Sequence, residues 1–403
     1  MLCQFTVKNF RCIKDEMTLD MQATELMEKE GTVLIDKDGE KFLPLGVIYG
    51  PNASGKSTIL LALYSLVYKI IRPLYTVNKG NMHIGKEAQI EPFKFSKESS
   101  DIPTEYELFF RTEKYEYQYE LSVLKGQIFR EVLSGKGIEG NSSYATIFDR
   151  REYAIELKDE LKNCRVEGIS KNLTLLSLLG ITYREDKIIG DVINWIENSF
   201  CFIDYGNSVK DVVIGIEDTE FFKNRIIDML AEMDIDISDY RIERNGESTR
   251  VFTTHSVGGQ NYELELIYES TGTIKILGLL PYIAKSIEQG VTLVIDELDA
   301  KLHPLLLKYI INLYRDKNIN RKNAQLIFTS HDLTTMDSET FRRDEIWFMA
   351  KGEDCGSKLY SLVEFQEDKQ NLGGVATYSK KYLEGHYGAD PYFKRIIMWG
   401  DSK

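Results

Sequence analysis

Apolar and polar positions alternate over residues 2–7, the two-residue period of a strand with one buried face. Residues 42–49 form a compact apolar run that stops at Gly50. Ahead of it, Asp36-Lys37-Asp38-Gly39 is turn chemistry, which predicts two antiparallel strands around that turn. The same tetrapeptide opens like a calcium loop, but no glutamate follows at the required spacing, so a plain turn is the better reading. Residues 59–71 are apolar on most faces and predict a helix inside the core. Lys69 and Arg72 interrupt this stretch before it reaches the roughly 18 clean apolar residues of a membrane span.

From residue 92 to about 134 the pattern turns to strands. Residues 106–111, 115–123 and 127–133 are short, aromatic-rich and separated by turn residues, as in a meander. Tyr115, Tyr117 and Tyr119 share one strand face, where a cross-strand packing ladder outweighs base stacking on so acidic a chain. Helical periodicity dominates over 154–198 and 220–233, with no heptad run long enough for a coiled-coil rod. Asp234-Ile235-Asp236 sits at a helix exit, where solvated carboxylates are the ordinary case. Strand character returns at 240–242 and 262–268. From Thr273 onward helices alternate with strands, which predicts a parallel sheet.

Composition narrows the function classes. The 403 residues carry a formal charge of −13, so the summed field repels polyanions, and nucleic-acid contact would need a local basic surface. At 43% hydrophobic and 28% charged, the chain has the makings of a substantial core. Five scattered cysteines without a Cys-x-x-Cys pair fit neither a disulfide framework nor a zinc module, and point to a reducing cytoplasm. Residues 1–10 have neither a basic start nor an apolar segment, so a cytoplasmic location without membrane attachment is expected.

The chemistry is concentrated in four motifs. Gly50, Pro51, Asn52, Ala53, Ser54, Gly55, Lys56, Ser57 and Thr58 spell a P-loop between an apolar strand and a helix. Its backbone amides and the helix N-terminus make an anion cradle, Lys56 reaches the β- and γ-phosphates of ATP, and the Ser57 hydroxyl ligates Mg²⁺. Residues 291–295 read as a buried strand whose carboxyl end delivers Asp296, a second magnesium ligand, and Glu297, which polarises the attacking water. His331, 35 residues beyond Asp296, ends what should be the neighbouring parallel strand and is placed beside the γ-phosphate. Ser270-Thr271-Gly272 at a helix start is either another anion site or an ordinary N-cap.

A P-loop, then Ser-x-Gly, then Asp-Glu, then a histidine is the order found in ABC-type ATPase heads, and Asn9-Phe10-Arg11 resembles the opening of their RecF/SMC/Rad50 branch. Closer similarity is to bacterial AAA-labelled ATPases of abortive-infection and phage-defence operons, of the AbiL/Rlo type. The residues that carry it include Arg342-Arg343-Asp344-Glu345-Ile346-Trp347-Phe348 and Tyr382-Leu383-Glu384-Gly385. The resemblance implies an α/β P-loop NTPase fold, an ABC-type head with an antiparallel β subdomain and an inserted helical arm. It implies halves at 1–134 and 261–403 around an insertion at 135–260. It adds nucleotide contacts from Asn9 and Arg11, and Ser270 and Gly272 closing over ATP held by another subunit, in a homodimer or higher homo-oligomer. Asp299 occupies the loop that communicates across that dimer. The implied role is a defence ATPase controlling a separate effector, such as a nuclease; the alternative is a DNA-repair or structural-maintenance ATPase that binds DNA directly. Only 72 residues follow His331, without an Asp-x-Asp, so a built-in Toprim nuclease is not expected.

Overall fold

The computed structural model describes residues 1–78, 89–139, 142–204, 220–245, 248–365 and 378–388. Its N-terminal part holds β1 (Leu2–Lys8), β2 (Met17–Asp20), the hairpin β3 (Leu34–Ile35) and β4 (Lys41–Phe42), β5 (Leu45–Tyr49) and α1 (Lys56–Asn78). A meander follows: β6 (Thr104–Arg111), β7 (Tyr115–Leu124), β8 (Gln127–Gly137), β9 (Ala145–Arg151) and β10 (Ala154–Leu157). Then come α2 (Leu175–Thr182), α3 (Lys187–Asn198), β11 (Phe200–Asp204), α4 (Glu220–Glu232), β12 (Asp239–Asn245), β13 (Ser248–Val257) and β14 (Gln260–Glu265). The last part comprises α5 (Thr271–Gln289), β15 (Thr292–Asp296), α6 (Pro304–Arg315), β16 (Gln325–Thr329), β17 (Ile346–Lys351), β18 (Ser357–Ser361) and α7 (Tyr378–Leu383).

Two large sheets sandwich α1. One is antiparallel, in the order β10-β9-β8-β7-β6-β1-β2. The other runs β11-β15-β16-β5-β17-β18 and is parallel except for the last strand. Every residue of β5 and β16 is buried, as a strand covered on both faces must be. Val294 and Ile327 point to one face, where they join Leu63, Leu66 and Ile70 of α1 and the meander residues Phe5 and Phe110. Leu293, Ile295, Leu326 and Phe328 point to the other face, against Ile276, Leu280 and Ile283 of α5 and Leu307 and Ile311 of α6. The stretch Lys56–Tyr75 has the mean hydropathy (1.3) of a membrane span, and half of it is buried inside this sandwich. Its apolarity serves two sheets at once.

Several expectations are corrected. The apolar run 42–49 is two elements, because Pro44 has no amide to continue the ladder and separates β4 from β5. Residues 154–157, expected to start a helical region, pair with β9 as a strand. The boundary after 134 falls inside β8, and the one after 260 falls inside β14. The middle of the chain is therefore mostly shared. Its helices α2 and α3 pack onto α1 and the meander, and β11 completes the parallel sheet. Tyr117 and Tyr119 are buried as packing residues, while Tyr115 at the strand start is half-exposed. In the C-terminal motif, which runs from Tyr382-Leu383-Glu384-Gly385 on through Tyr387-Gly388-Ala389-Asp390-Pro391, Tyr382 and Tyr387 stack on Phe348 of β17; residues 389–391 lie outside the described residues.

Candidate functional site: a phosphate loop facing two acids

The strand order decides what can meet. β16 lies between β5 and β15, and all three run parallel, so the loops at their carboxyl ends open on one edge. Gly50–Thr58 leaves β5, Asp296 and Glu297 leave β15, and His331 leaves β16.

Close packing behind the P-loop explains its glycines. A Cβ on Gly50 (φ +155°) would lie 2.3 Å from the Met349 carbonyl oxygen. One on Gly55 (φ +108°) would lie 2.5 Å from Ser357 Oγ and 2.8 Å from Cys12 Sγ. Those two neighbours also brace the loop. Ser357 Oγ donates to the Ser54 carbonyl at 2.6 Å, and Cys12 Sγ lies 3.2 Å from Thr58 Oγ1. Lys56 folds back, donating from Nζ to the carbonyls of Gly50 (2.9 Å) and Pro51 (3.1 Å). Burial pushes this ammonium below its usual pKa, against the pull of Asp296, Glu297 and Asp299. Ser57, Asn52 and Ala53 are exposed at the loop's rim.

One hydroxyl organises the acids. Thr329 Oγ1 accepts from the Glu297 amide at 2.7 Å and donates to Asp296 Oδ1 at 2.5 Å. Glu297 adopts φ 53°, a left-handed conformation uncommon outside glycine, which turns the chain sharply after the strand. His331 donates its backbone amide to Asp299 Oδ2 at 3.0 Å, so the histidine loop is fastened to the turn after Glu297. Ser57 and Asp296 offer oxygen ligands of the kind Mg²⁺ takes.

The signature residues stand apart. Ser270 is the N-cap of α5, its Oγ accepting from the Thr273 amide at 3.1 Å, and it is exposed. Among the described residues, no hydrogen bond joins Ser270 or Gly272 to residues 50–58. Glu269, beside it, accepts from Thr253 Oγ1 at 2.5 Å and lies 2.7 Å from His255 Nε2, so the three-stranded sheet of β12, β13 and β14 orients this loop.

Asn9 is a correction. Its Nδ2 lies within hydrogen-bonding distance of the carbonyls of Ser99, Ile102 and Pro103, and its Oδ1 accepts from the Phe93 amide at 3.0 Å. The side chain is buried and saturated by the 93–103 segment, so it is a loop anchor rather than a nucleotide contact. Arg11 (φ 51°) is held through its amide by the Glu91 carbonyl, with its guanidinium over Phe10, and it directly precedes the loop's brace at Cys12. Thr329, Ser357, Cys12 and Glu269 were not singled out as site residues from sequence. Each acts through an element distant along the chain, and only the threonine and glutamate lay inside a recognisable motif.

Sheet order and a P-loop on the same sheet edge as paired acids define the class: an α/β P-loop fold. The chain belongs to the family described as "AAA domain, putative AbiEii toxin, Type IV TA system", which matches residues 45–337. No curated protein matches it. Among solved structures it is similar to the SMC head domain from Thermotoga maritima, at 15% identity and TM-score 0.42, covering 89% of this chain and 98% of that one. The SmcHead bound to the C-winged helix domain of ScpA gives 11% identity and TM-score 0.45, with 89% and 97% covered. The recombination mediator RecF-ATPrS gives 12% and 0.35, with 89% and 98% covered.

Proposed function

We propose that the chain binds ATP with Mg²⁺, hydrolyses it, and uses the cycle to control a separately encoded toxic effector in anti-phage defence. The observation that carries the hydrolytic part is the Thr329 hydroxyl, which ties Asp296 and Glu297 together one strand away from the P-loop strand. In this reading Lys56 and the loop amides hold the phosphates, and Ser57 and Asp296 hold the metal. Mg²⁺ supplies Lewis-acid polarisation of the phosphate oxygens. Glu297 takes a proton from the attacking water, and His331 contacts the γ-phosphate. Ser270, which is exposed, and the half-buried Gly272 make no hydrogen bond to the P-loop among the described residues, and in this reading they serve the ATP of a second copy in a homo-oligomer. The defence role is supported by the family description, which speaks of an AbiEii toxin.

Direct DNA binding is the alternative. Of the cations it would recruit (Lys8, Arg11, Lys14, Lys380, Lys381 and Arg395), three stand beside carboxylates: Lys8 by Glu105 at 3.3 Å, Lys14 by Asp354 at 2.7 Å and Lys380 by Glu384 at 3.9 Å. Arg395 lies outside the described residues. Lys56→Ala removes the loop's own cation, so ATP affinity and turnover should both fall; wild-type turnover by the folded variant would sink the site. Purification from the native locus should bring down a neighbouring gene product. Salt-dependent duplex binding without such a partner would favour the alternative.

A further inference from the structure

Lys275 lies just over one turn into α5, in the same helix that Ser270 caps, and is 7% exposed. Its Nζ donates to three carbonyls of the turn after the β15 acids: Glu297 at 3.0 Å, Leu298 at 2.9 Å and Ala300 at 2.6 Å. An ammonium has three protons, and here each has a carbonyl. That turn is unusual in itself. Glu297 (φ 53°) and Lys301 (φ 63°) are both left-handed, and carbonyl dipoles from either side converge on one point. Without a cation at that point the dipoles would repel one another and the turn would open. The same helix start touches the far end of the turn, since a Cβ on Gly272 would lie 3.2 Å from the Lys301 carbonyl oxygen. Burial pushes the Lys275 ammonium down to about 8, with Asp299 and Glu297 pulling it up and Lys301 adding to the fall.

We propose that Lys275 is a positioning residue for hydrolysis: it gathers the carbonyls of Glu297, Leu298 and Ala300, fixes the direction of Glu297, and joins the signature helix to the acid that activates water. Movement of Ser270 on engaging a second copy is thereby passed to Glu297 through one side chain. The inference rests on the reading of Glu297 as the proton acceptor.

The test is Lys275→Met in the full chain, which keeps the side-chain length and removes all three donors. Turnover of ATP should fall by about 10²-fold, as expected when a reacting group is displaced by about 1 Å, while KM for ATP stays near the wild-type value. Without nucleotide, amide exchange at 297–302 should quicken, and exchange at 50–58 should not change. Where the methionine variant does not fold, Lys275→Gln keeps part of the donor set and should show the same split at smaller amplitude. Unchanged turnover in a folded variant overturns the proposal, as does a loss confined to KM or an unaltered exchange pattern at 297–302. Misassignment of Glu297 would show separately, as normal hydrolysis by Glu297→Gln, and the nucleotide-free exchange arm would still decide whether Lys275 holds the turn.

Discussion

Two helix N-termini in this molecule meet the same electrostatic problem in opposite ways. At the start of α2, Glu131 reaches across from β8 and accepts from the amides of Leu175 (2.6 Å) and Leu176 (2.9 Å), while Thr174 accepts from Ser177 at 3.1 Å. Tyr119 adds a phenolic donor to Glu131 at 2.9 Å, and Arg150 lies 3.8 Å away. Burial raises the Glu131 pKa, and those donors offset the shift. At the start of α1, no side chain among the described residues accepts from the amides of Lys56 and Ser57. There the loop is braced from behind, by Cys12 and Ser357, and left open in front. A helix terminus filled by the protein's own carboxylate is architecture. One kept clear, with a cation folded beside it, is prepared for an external anion.

The sharpest way to test this contrast is Glu297→Gln. It preserves size and most hydrogen bonding but removes the proton acceptor, so turnover should fall about 10²–10⁴-fold with ATP binding retained. A normal rate in a steady-state phosphate-release assay would show that the open terminus serves another acid. If ATP joins two heads, this variant should also gain mass in solution on adding nucleotide.

Glu131→Ala should do the reverse. Losing a buried carboxylate that holds two amides and faces Arg150 should cost roughly 3–5 kcal/mol in denaturant unfolding, with nucleotide affinity of the folded fraction unaltered. A variant that keeps its stability and loses ATP would erase the distinction between the two termini.

The smallest effect concerns another terminus, the start of α5 capped by Ser270. Ser270→Ala should cost about 1 kcal/mol as a lost N-cap. Ser270→Arg mixed with Lys56→Ala should regain activity through the one undamaged site of a mixed dimer. Absence of recovery despite demonstrated subunit exchange would reduce Ser270 to its cap.

The legible part of the site was the part written in consecutive residues. The P-loop, the acid pair after an apolar strand and the histidine after the next strand each carry their chemistry within a few positions, and the helix–strand alternation after Thr273 announced the parallel sheet. Asn9 shows the limit of resemblance. Its position matched a family opening, but its amide is saturated by backbone some 90 residues later.

Local pattern thus determined which loops stand as candidates for the proposed chemistry, because strand period, helix period and phosphate-loop glycines are short-range properties. Tertiary structure decided the rest. Inserting β16 between β5 and β15 is a matter of topology: its pairing with β15 lets Thr329 join Asp296 to the Glu297 amide, and its pairing with β5 sets that pair beside the P-loop strand. The lysine on α5 that gathers the Glu297, Leu298 and Ala300 carbonyls, and the serine of β18 that braces the Ser54 carbonyl, lie 22 or more and 303 residues from their partners. No local periodicity records such pairs, since they are set by how the layers stack.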